Sequence, residues 1–320
     1  MRKLVCGFLV LSLALFGCVG SSAASPHADY PNRAITLVVN FGPGGGTDLG
    51  ARVLAREMEQ ILGQPIVVEN VAGGEGSVGL SRLLTAAPDG YTIGTGTGSN
   101  LTVLPHVMAE IPYRPFEDFT WVASFAEWNY VLWAHKKAGI NTLDEFLDLA
   151  RSNPERITYS GSGLLQVLLV EQIPLALGES FDWSYLPNTS AADAYMAVLR
   201  GDADFFPASF ADIRGNLDDF VPLVTYSRNP DLPETQTLAE LGIIQNPIRN
   251  WVGILAPNGL PEEIRLKLEN AIRQALENPE VVEAIRNLYH PIFLGGEDFK
   301  EHCMGVSEVV RELIESGITY

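Results

Sequence analysis

The chain has 320 residues, 47% hydrophobic and 19% charged, enough for two domains with packed cores. Against 39 Asp and Glu stand 21 Lys and Arg, a formal net charge of -18, which argues against a nucleic-acid face and against peripheral binding to anionic lipid. A small anionic ligand is not excluded, because a local cluster of N–H donors outweighs a distant, screened field.

Arg2 and Lys3 precede an apolar run, Leu4 to Phe16, of export-signal length and too short for a comfortable membrane span. Leu15-Phe16-Gly17-Cys18 resembles a lipobox, which would make Cys18 an acylated N-terminus; the alternative is cleavage after Ser22-Ala23-Ala24. Either way the protein is expected outside the cytoplasm, periplasmic or lipid-anchored at the outer face of a bacterial membrane. Cys303, on a helical stretch, reads as a small core residue.

The fold is expected to begin at Tyr30-Pro31. Ile35 to Val39 reads as a buried strand, Asn40 to Asp48 as a glycine-rich turn with Thr47 or Asp48 as N-cap, and Ala51 to Leu62 as a helix stopped by Gly63. Gln64 to Asn70 is a second strand, with a second glycine-rich turn from Ala72 to Ser77 and a helix from Val78. Tyr91 to Gly96 is a third, running into Thr97-Gly98-Ser99-Asn100. Alternation of this kind argues a largely parallel sheet, with the three turns on one edge, where such sheets bind ligands.

Phe119 to Ser124 and Tyr130 to Ala134 are strand-like, and Thr142 caps a helix. Ile157 to Ser160 leads into a fourth such turn, Gly161-Ser162-Gly163. Ser184 to Leu186 leads to Pro187-Asn188-Thr189-Ser190, and Ala203 to Phe206 to Pro207-Ala208-Ser209. Val221 to Tyr226 and Trp251 to Ala256 are apolar strands, and the last seventy residues read as mostly helical.

Glycine lets a bound group approach the backbone, and the free N–H groups of a helix start favour an anion. The first turn therefore reads as half of a carboxylate site. Singly, each glycine turn is explained by tight packing. Four of them on strand ends, with hydroxyls nearby and no catalytic set, point to a binding cleft.

Gly74-Glu75-Gly76-Ser77-Val78-Gly79 fits GxGxxG, yet it follows the second strand and no acidic residue sits where a ribose would need one. The first turn lacks the Lys and Ser/Thr of a P-loop. The five histidines show no metal spacing, and no GxSxG elbow or Ser-His-Asp set is present. No cofactor, metal or catalytic residue is expected.

Several motifs in register carry a resemblance. They are Gly42-Pro43-Gly44-Gly45-Gly46-Thr47-Asp48 with Ala51-Arg52, Leu62-Gly63-Gln64-Pro65-Ile66-Val67-Val68-Glu69-Asn70, and Ala86-Ala87-Pro88-Asp89-Gly90-Tyr91-Thr92. Ile111-Pro112-Tyr113, Leu232-Pro233-Glu234-Thr235 and Trp251-Val252-Gly253 continue the series. Together they resemble the extracytoplasmic solute receptors of tripartite tricarboxylate transporters, the Bug or TctC-like family.

The resemblance implies a two-lobed α/β periplasmic-binding-protein fold, type II-like, joined by two crossing strands. After a leader and tether, residues 1–28, one domain would hold residues 29–124 and 227–320 and the other residues 125–226. The protein would be a non-enzymatic monomer that captures a small organic acid and delivers it to a two-component integral membrane permease. The matching site residues are Phe41, Gly44, Gly45, Gly46, Thr47 and Asp48 in the first turn and Gly98, Ser99 and Asn100 in the third. In the other lobe they are Ser160, Gly161, Ser162 and Gly163, then Asn188 and Thr189, then Ala208 and Ser209.

Two stretches depart from the family pattern. Leu164 and Leu165 follow Gly163 where a Ser and a His-Leu pair are usual, and Pro187-Asn188-Thr189 replaces a Tyr-Lys/Arg-Gly. An apolar second wall is then expected, suited to an organic acid with an apolar portion. Trp128 and Trp251 fall to either cleft or core. A ligand sensor for a signalling partner fits the same sequence; an exported hydrolase would lack a nucleophile-base pair.

Overall fold

The computed structural model describes residues 27, 29–108, 110–152, 157–188 and 191–318. Cys18, the Ser22-Ala23-Ala24 cleavage site and Thr189 lie outside the described residues. The chain divides after Tyr30. Ahead of the division, a turn is closed by the Tyr30 N–H donating to the His27 carbonyl at 3.0 Å.

The body opens with β1 (Ile35–Val39), a nearly fully buried apolar strand. Helix α1 (Gly46–Leu62) buries Ala51, Leu54, Ala55 and Met58, and Gly63 at φ 69° ends it in the left-handed conformation. Then come β2 (Ile66–Asn70), α2 (Ser77–Leu84), β3 (Thr92–Thr97) and α3 (Leu104–Val107). β1 pairs parallel with both β2 and β3, so the three turns after these strands share one edge.

The ten-residue β4 (Phe119–Trp128) breaks at Asn129 into β5 (Tyr130–His135). Helix α4 (Leu143–Ser152) follows, its Glu145 N–H donating to Thr142 Oγ1 at 3.1 Å as the capping pattern predicts. Next are β6 (Thr158–Gly161), α5 (Leu164–Leu177), β7 (Ser184–Pro187), α6 (Ala191–Arg200), β8 (Phe205–Ser209), α7 (Phe210–Ile213) and β9 (Phe220–Thr225). The chain returns through β10 (Asn250–Pro257), α8 (Glu262–Ala275), α9 (Pro279–Arg286), β11 (His290–Gly295) and α10 (Gly296–Glu315).

Two sheets result, a six-stranded one in the order β11-β4-β10-β3-β1-β2 and a five-stranded one in the order β7-β6-β8-β5-β9. This is a two-lobed α/β fold. The expected parallel pairing holds for β1 to β3 and for β6 to β8. It fails at β10, which is antiparallel to β3 and β4, and at β5, which is antiparallel to β8 and β9. The reason is topological: a strand that enters a sheet from the crossing runs against the strands whose carboxyl ends face it. β11 also departs from the helical reading of the C-terminal region. It is a half-buried edge strand carrying Pro291, so its residues lack the alternation that marks a strand.

The core does not stop at the crossing. One apolar cluster holds Leu80, Leu101 and Leu255 beside the first sheet and Tyr159, Phe205 and Leu132 of the second. α5 and α10 bridge it, packed on each other, with Leu168, Leu169 and Ile173 from one and Cys303, Val306 and Val310 from the other. α5 is apolar along most of its length and buries Val167 to Val170 and Ile173, while Leu175 near its end is exposed.

Both crossing segments are also tied together by polar groups. Ser227 Oγ donates to Glu127 Oε1 at 2.8 Å, and Asn129 Nδ2 donates to Ser227 Oγ at 2.9 Å. Arg249 lies 3.4 Å from the second Glu127 oxygen, supplying the countercharge that a buried carboxylate needs. Among the described residues no helix is long and apolar enough to cross a membrane.

Candidate functional site

The first turn leaves the carboxyl end of β1 and enters α1 at Gly46, two or three residues earlier than the sequence predicts. The N-cap is Gly45, with φ -73° and ψ 164°, and no side chain caps the helix. Thr47 and Asp48 are therefore inside the first turn and not its cap. Asp48 works from within. One carboxylate oxygen accepts from the Gly44 N–H at 2.9 Å; the other accepts from Arg52 Nε at 2.9 Å and Asn70 Nδ2 at 2.8 Å. Asn70 Nδ2 also donates to the Phe41 carbonyl at 3.0 Å.

Burial pushes the Asp48 carboxyl up, but Arg52, the Gly44 N–H and Asn70 together outweigh it and hold it below its ordinary value. The result is a fixed loop under an uncapped helix end, its acidic group already neutralised by Arg52.

The glycines of this loop differ in what they are for. Gly44 has φ +82°, where glycine is needed. A Cβ on Gly46 would run into Tyr289 Oη. Gly42 and Gly45 have neither reason: a Cβ on Gly42 would meet nothing within 4 Å, and one on Gly45 would meet only the Gly42 carbonyl at 3.5 Å.

The second turn is explained by packing. Gly73, Gly74, Glu75 and Gly76 all have positive φ, and a Cβ on Gly79 would lie 2.6 Å from Asn40 Cα and 2.8 Å from the Val71 carbonyl. The GxGxxG pattern is thus the sequence trace of a left-handed turn followed by α2 lying against the end of β1.

At the end of β3, Asn100 is fully buried and braces the loop. Its Oδ1 accepts from the Thr97 N–H at 2.9 Å, and its carbonyl accepts from the Tyr113 hydroxyl at 2.7 Å. Gly98 is held against Asn250, whose Oδ1 accepts from the Ser99 N–H at 3.2 Å.

In the other lobe, the ends of β6, β7 and β8 bring Ser160–Gly163, Asn188 and Ala208–Ser209 to one edge. Asn188 Nδ2 donates to Ser160 Oγ at 2.7 Å, and the Asn188 N–H donates to the Gly161 carbonyl at 2.8 Å. Ser162 donates through both its N–H and its hydroxyl to Gln166 Oε1. Gly163 has an extended φ of 167°, and a Cβ there would meet nothing within 4 Å. Ser209 caps α7 in a reciprocal pair with Asp212.

Leu164 and Leu165 are half-buried and pack against the core cluster, so part of the expected apolar wall is turned inward. Trp251 is fully buried core, while Trp128 meets Tyr289 edge-on at 4.7 Å. Cys303 is fully buried and burial pushes its thiol up, in keeping with a core role. No group of three His, Cys, Asp or Glu among the described residues could hold a metal ion.

The sequence reading misses a cavity at the crossing. It is lined by Asn129, Ser209, Phe210, Asn229, Tyr289 and His290, with Arg214 and Arg286 among its further walls. Arg214 joins the lobes here, donating to Asn287 Oδ1 at 3.3 Å and to the Arg286 carbonyl at 3.2 Å. The signal available in sequence is weak: two asparagines just beyond strand ends, far apart along the chain. Tyr289 connects this cavity to the first turn, because the same ring packs on Gly46 and Gly50.

Residues 50–295 match the family model of the tripartite tricarboxylate transporter family receptor, TctC. The chain belongs to that receptor family. Among its relatives, Protein BugT of Bordetella pertussis is 32% identical over 284 residues, 86% of each chain. MatC from Rhodopseudomonas palustris, solved with bound malate, is 28% identical, with a TM-score of 0.62 over 90% of this chain and 98% of that one. A TctC solute-binding protein from Polaromonas shares the fold at a TM-score of 0.80 and 24% identity, covering 90% of this chain and 99% of that one. TctC-family proteins are solute-binding receptors and not enzymes. In this TctC-family receptor the strand-end turns of both lobes supply the polar edges of the fold.

Proposed function

We propose that the protein is an extracytoplasmic receptor that binds a small organic carboxylate between its lobes and hands it to a two-component membrane permease. The observation that carries this reading is the uncapped start of α1 beneath Gly42 and Gly45. Neither glycine is required by backbone conformation or by neighbours, so close approach of a bound group remains as their reason. Gly163, equally unconstrained, stands at the turn after β6 in the other lobe. The malate bound to MatC supports a carboxylate as the ligand class.

In this reading the ligand's carboxylate sits on the first-turn N–H groups, Phe41 and Gly44 to Thr47 forming one wall. Ser99, Ser162 and Asn188 supply polar contacts from the other turns. Closure moves a lobe of residues 125–226 against the rest, with turning points at Asn129 and Ser227, and affinity comes from selecting the closed state. The protein acts as a monomer outside the cytoplasm.

Titration calorimetry of the purified protein, unfolded and refolded to remove carried-over ligand, tests it against a panel of organic acids, amino acids and sugars. One acid class should bind with about 8–11 kcal/mol, micromolar to tens of nanomolar. Gly45→Val should keep the melting temperature and lose at least about tenfold in affinity, since its side chain enters the space left for the ligand. A panel without an acid binder, or a Gly45→Val protein that binds normally, would overturn the assignment.

A further inference from the structure

Arg214 binds across the crossing. It lies just beyond α7, in the lobe of the five-stranded sheet, and its two acceptors lie just before β11, in the lobe of the six-stranded sheet. Arg214 Nη2 donates to the Arg286 carbonyl at 3.2 Å, and Nη1 donates to Asn287 Oδ1 at 3.3 Å. Arg286 is the last residue of α9, where carbonyls lack helical partners and a positive charge is favoured. The Leu288 and Tyr289 N–H groups both donate to the Ile285 carbonyl at 2.8 Å, and the Arg286 carbonyl takes Arg214. A side chain of one lobe thus caps a helix of the other.

We propose that this contact is a latch, and that Arg214 is a positioning residue that holds the lobes closed over the bound acid. The inference rests on the receptor reading and adds to it what keeps the closed state together. Both ends of the latch are tied to a ligand wall. Helix α7 runs from its cap Ser209, one of the expected ligand-edge residues, to Arg214, whose guanidinium lies over the Phe210 ring at 5.5 Å. On the other side Tyr289 follows the two acceptors, and its ring packs on Gly46 and Gly50 at the start of α1. A shift of either ligand turn is therefore carried to the latch through one short segment.

Apolar packing does not join the lobes at α7. The buried members of a second apolar cluster, among them Trp133, Phe206, Phe210 and Ile213, all come from residues 131–220, so α7 packs into its own lobe. The cluster that the lobes share is bridged elsewhere, by α5 and α10. The latch is also able to open. Arg214, Arg286 and Asn287 are exposed, so water competes for each bond. Such a contact biases closure and yields when the lobes part.

The test compares the wild-type protein with Arg214→Ala, both purified and refolded in the same way. Small-angle X-ray scattering is recorded without ligand, and calorimetry uses malate, succinate, citrate and glutarate as probes. If the free protein is mostly open, the loss of the latch appears in affinity; if it is mostly closed, it appears as a larger radius of gyration. The acid that binds should bind Arg214→Ala about fivefold more weakly, or the ratio of open to closed protein should rise about fivefold, at an unchanged melting temperature. Asn287→Ala should move the same readout by a smaller factor, and it serves as the test if Arg214→Ala fails to fold. The double variant should go no further than Arg214→Ala, because both bonds begin on Arg214.

Affinity and scattering both unchanged in Arg214→Ala would overturn the latch and leave the receptor reading standing. So would a double variant whose effects add, since Arg214 would then act through something other than the end of α9. If none of the acids binds, the receptor reading falls and the latch falls with it.

Discussion

Asp48 is 2% exposed and sits directly beneath the helix start where a carboxylate ligand is proposed to bind. Unpaired, it would repel that ligand. Its pairing with Arg52 cancels the charge, while the Gly44 and Asn70 bonds use it to hold the loop. Asp48→Ala should weaken carboxylate binding about tenfold and cost about 1–2 kcal/mol of stability, since it strands the Gly44 N–H and removes one of the two bonds made by Asn70 Nδ2. Calorimetry and urea melts read the two effects.

Its folded pKa lies below the ordinary 3.8, so its contribution is complete above that value and is lost as pH falls through the folded pKa. The glycines divide in the same way. Gly79→Ala should cost about 2–3 kcal/mol, because the new Cβ meets backbone at Asn40 and Val71 that cannot move aside. Gly45→Ala should leave stability within about 0.5 kcal/mol and act on binding alone. Equal losses of stability in the two variants would contradict this division.

At the scale of elements, the strand-turn-helix units of both lobes are legible in the sequence because each carries its own signals: an apolar run, a glycine turn and helical spacing with a cap or stop. The Gly63 stop and the Thr142 cap stand where those signals put them. The N-cap of α1 does not, since Thr47 and Asp48 have the chemistry of caps and only tertiary bonds to Arg52 and Asn70 show Asp48 bracing the loop from inside the helix. β11 is invisible because an edge strand needs no alternation.

The crossing cavity is illegible for a different reason: Asn129 and Asn229 meet only through the return of the chain, and nothing local marks either. Leu164 and Leu165 at the start of α5 read in sequence as a ligand wall, and the structure packs them against the core cluster. Farther along the same helix, Leu168, Leu169 and Ile173 are core beside α10, and this can be tested. A chain ending at Gly295 should uncover Leu168, Leu169 and Ile173, bind a hydrophobic dye and lose its sharp melting transition. A soluble, sharply melting truncated protein would mean that the α5–α10 contact is dispensable.

Across the whole molecule the lobes share one apolar cluster, so heating should unfold them in a single cooperative transition despite the two sheets. Four buried or half-buried histidines contribute to the acid side of that stability. Burial holds His106, His135 and His290 below the ordinary value of 6.5, and burial, with Arg249 nearby, lowers His302 to about 4. Each is neutral when folded and takes up a proton more readily when unfolded. Stability should therefore be complete above about pH 6.5 and fall as pH drops toward each folded pKa.

Glu171 works in the opposite sense, because burial raises its carboxyl above the ordinary 4.5. It offsets part of the histidine slope near the lower end of the window. His302 isolates the histidine effect: its ring meets Trp251 edge-on at 4.2 Å and its Nε2 has no partner, so phenylalanine can keep the contact and lose only the charge. Urea midpoints of the wild-type protein should rise between pH 4 and 6.5. The unfolding free energy of His302→Phe should rise less, by roughly 2 kcal/mol over the window. Parallel slopes for the two proteins would show that the folded imidazole takes up its proton as readily as the unfolded one.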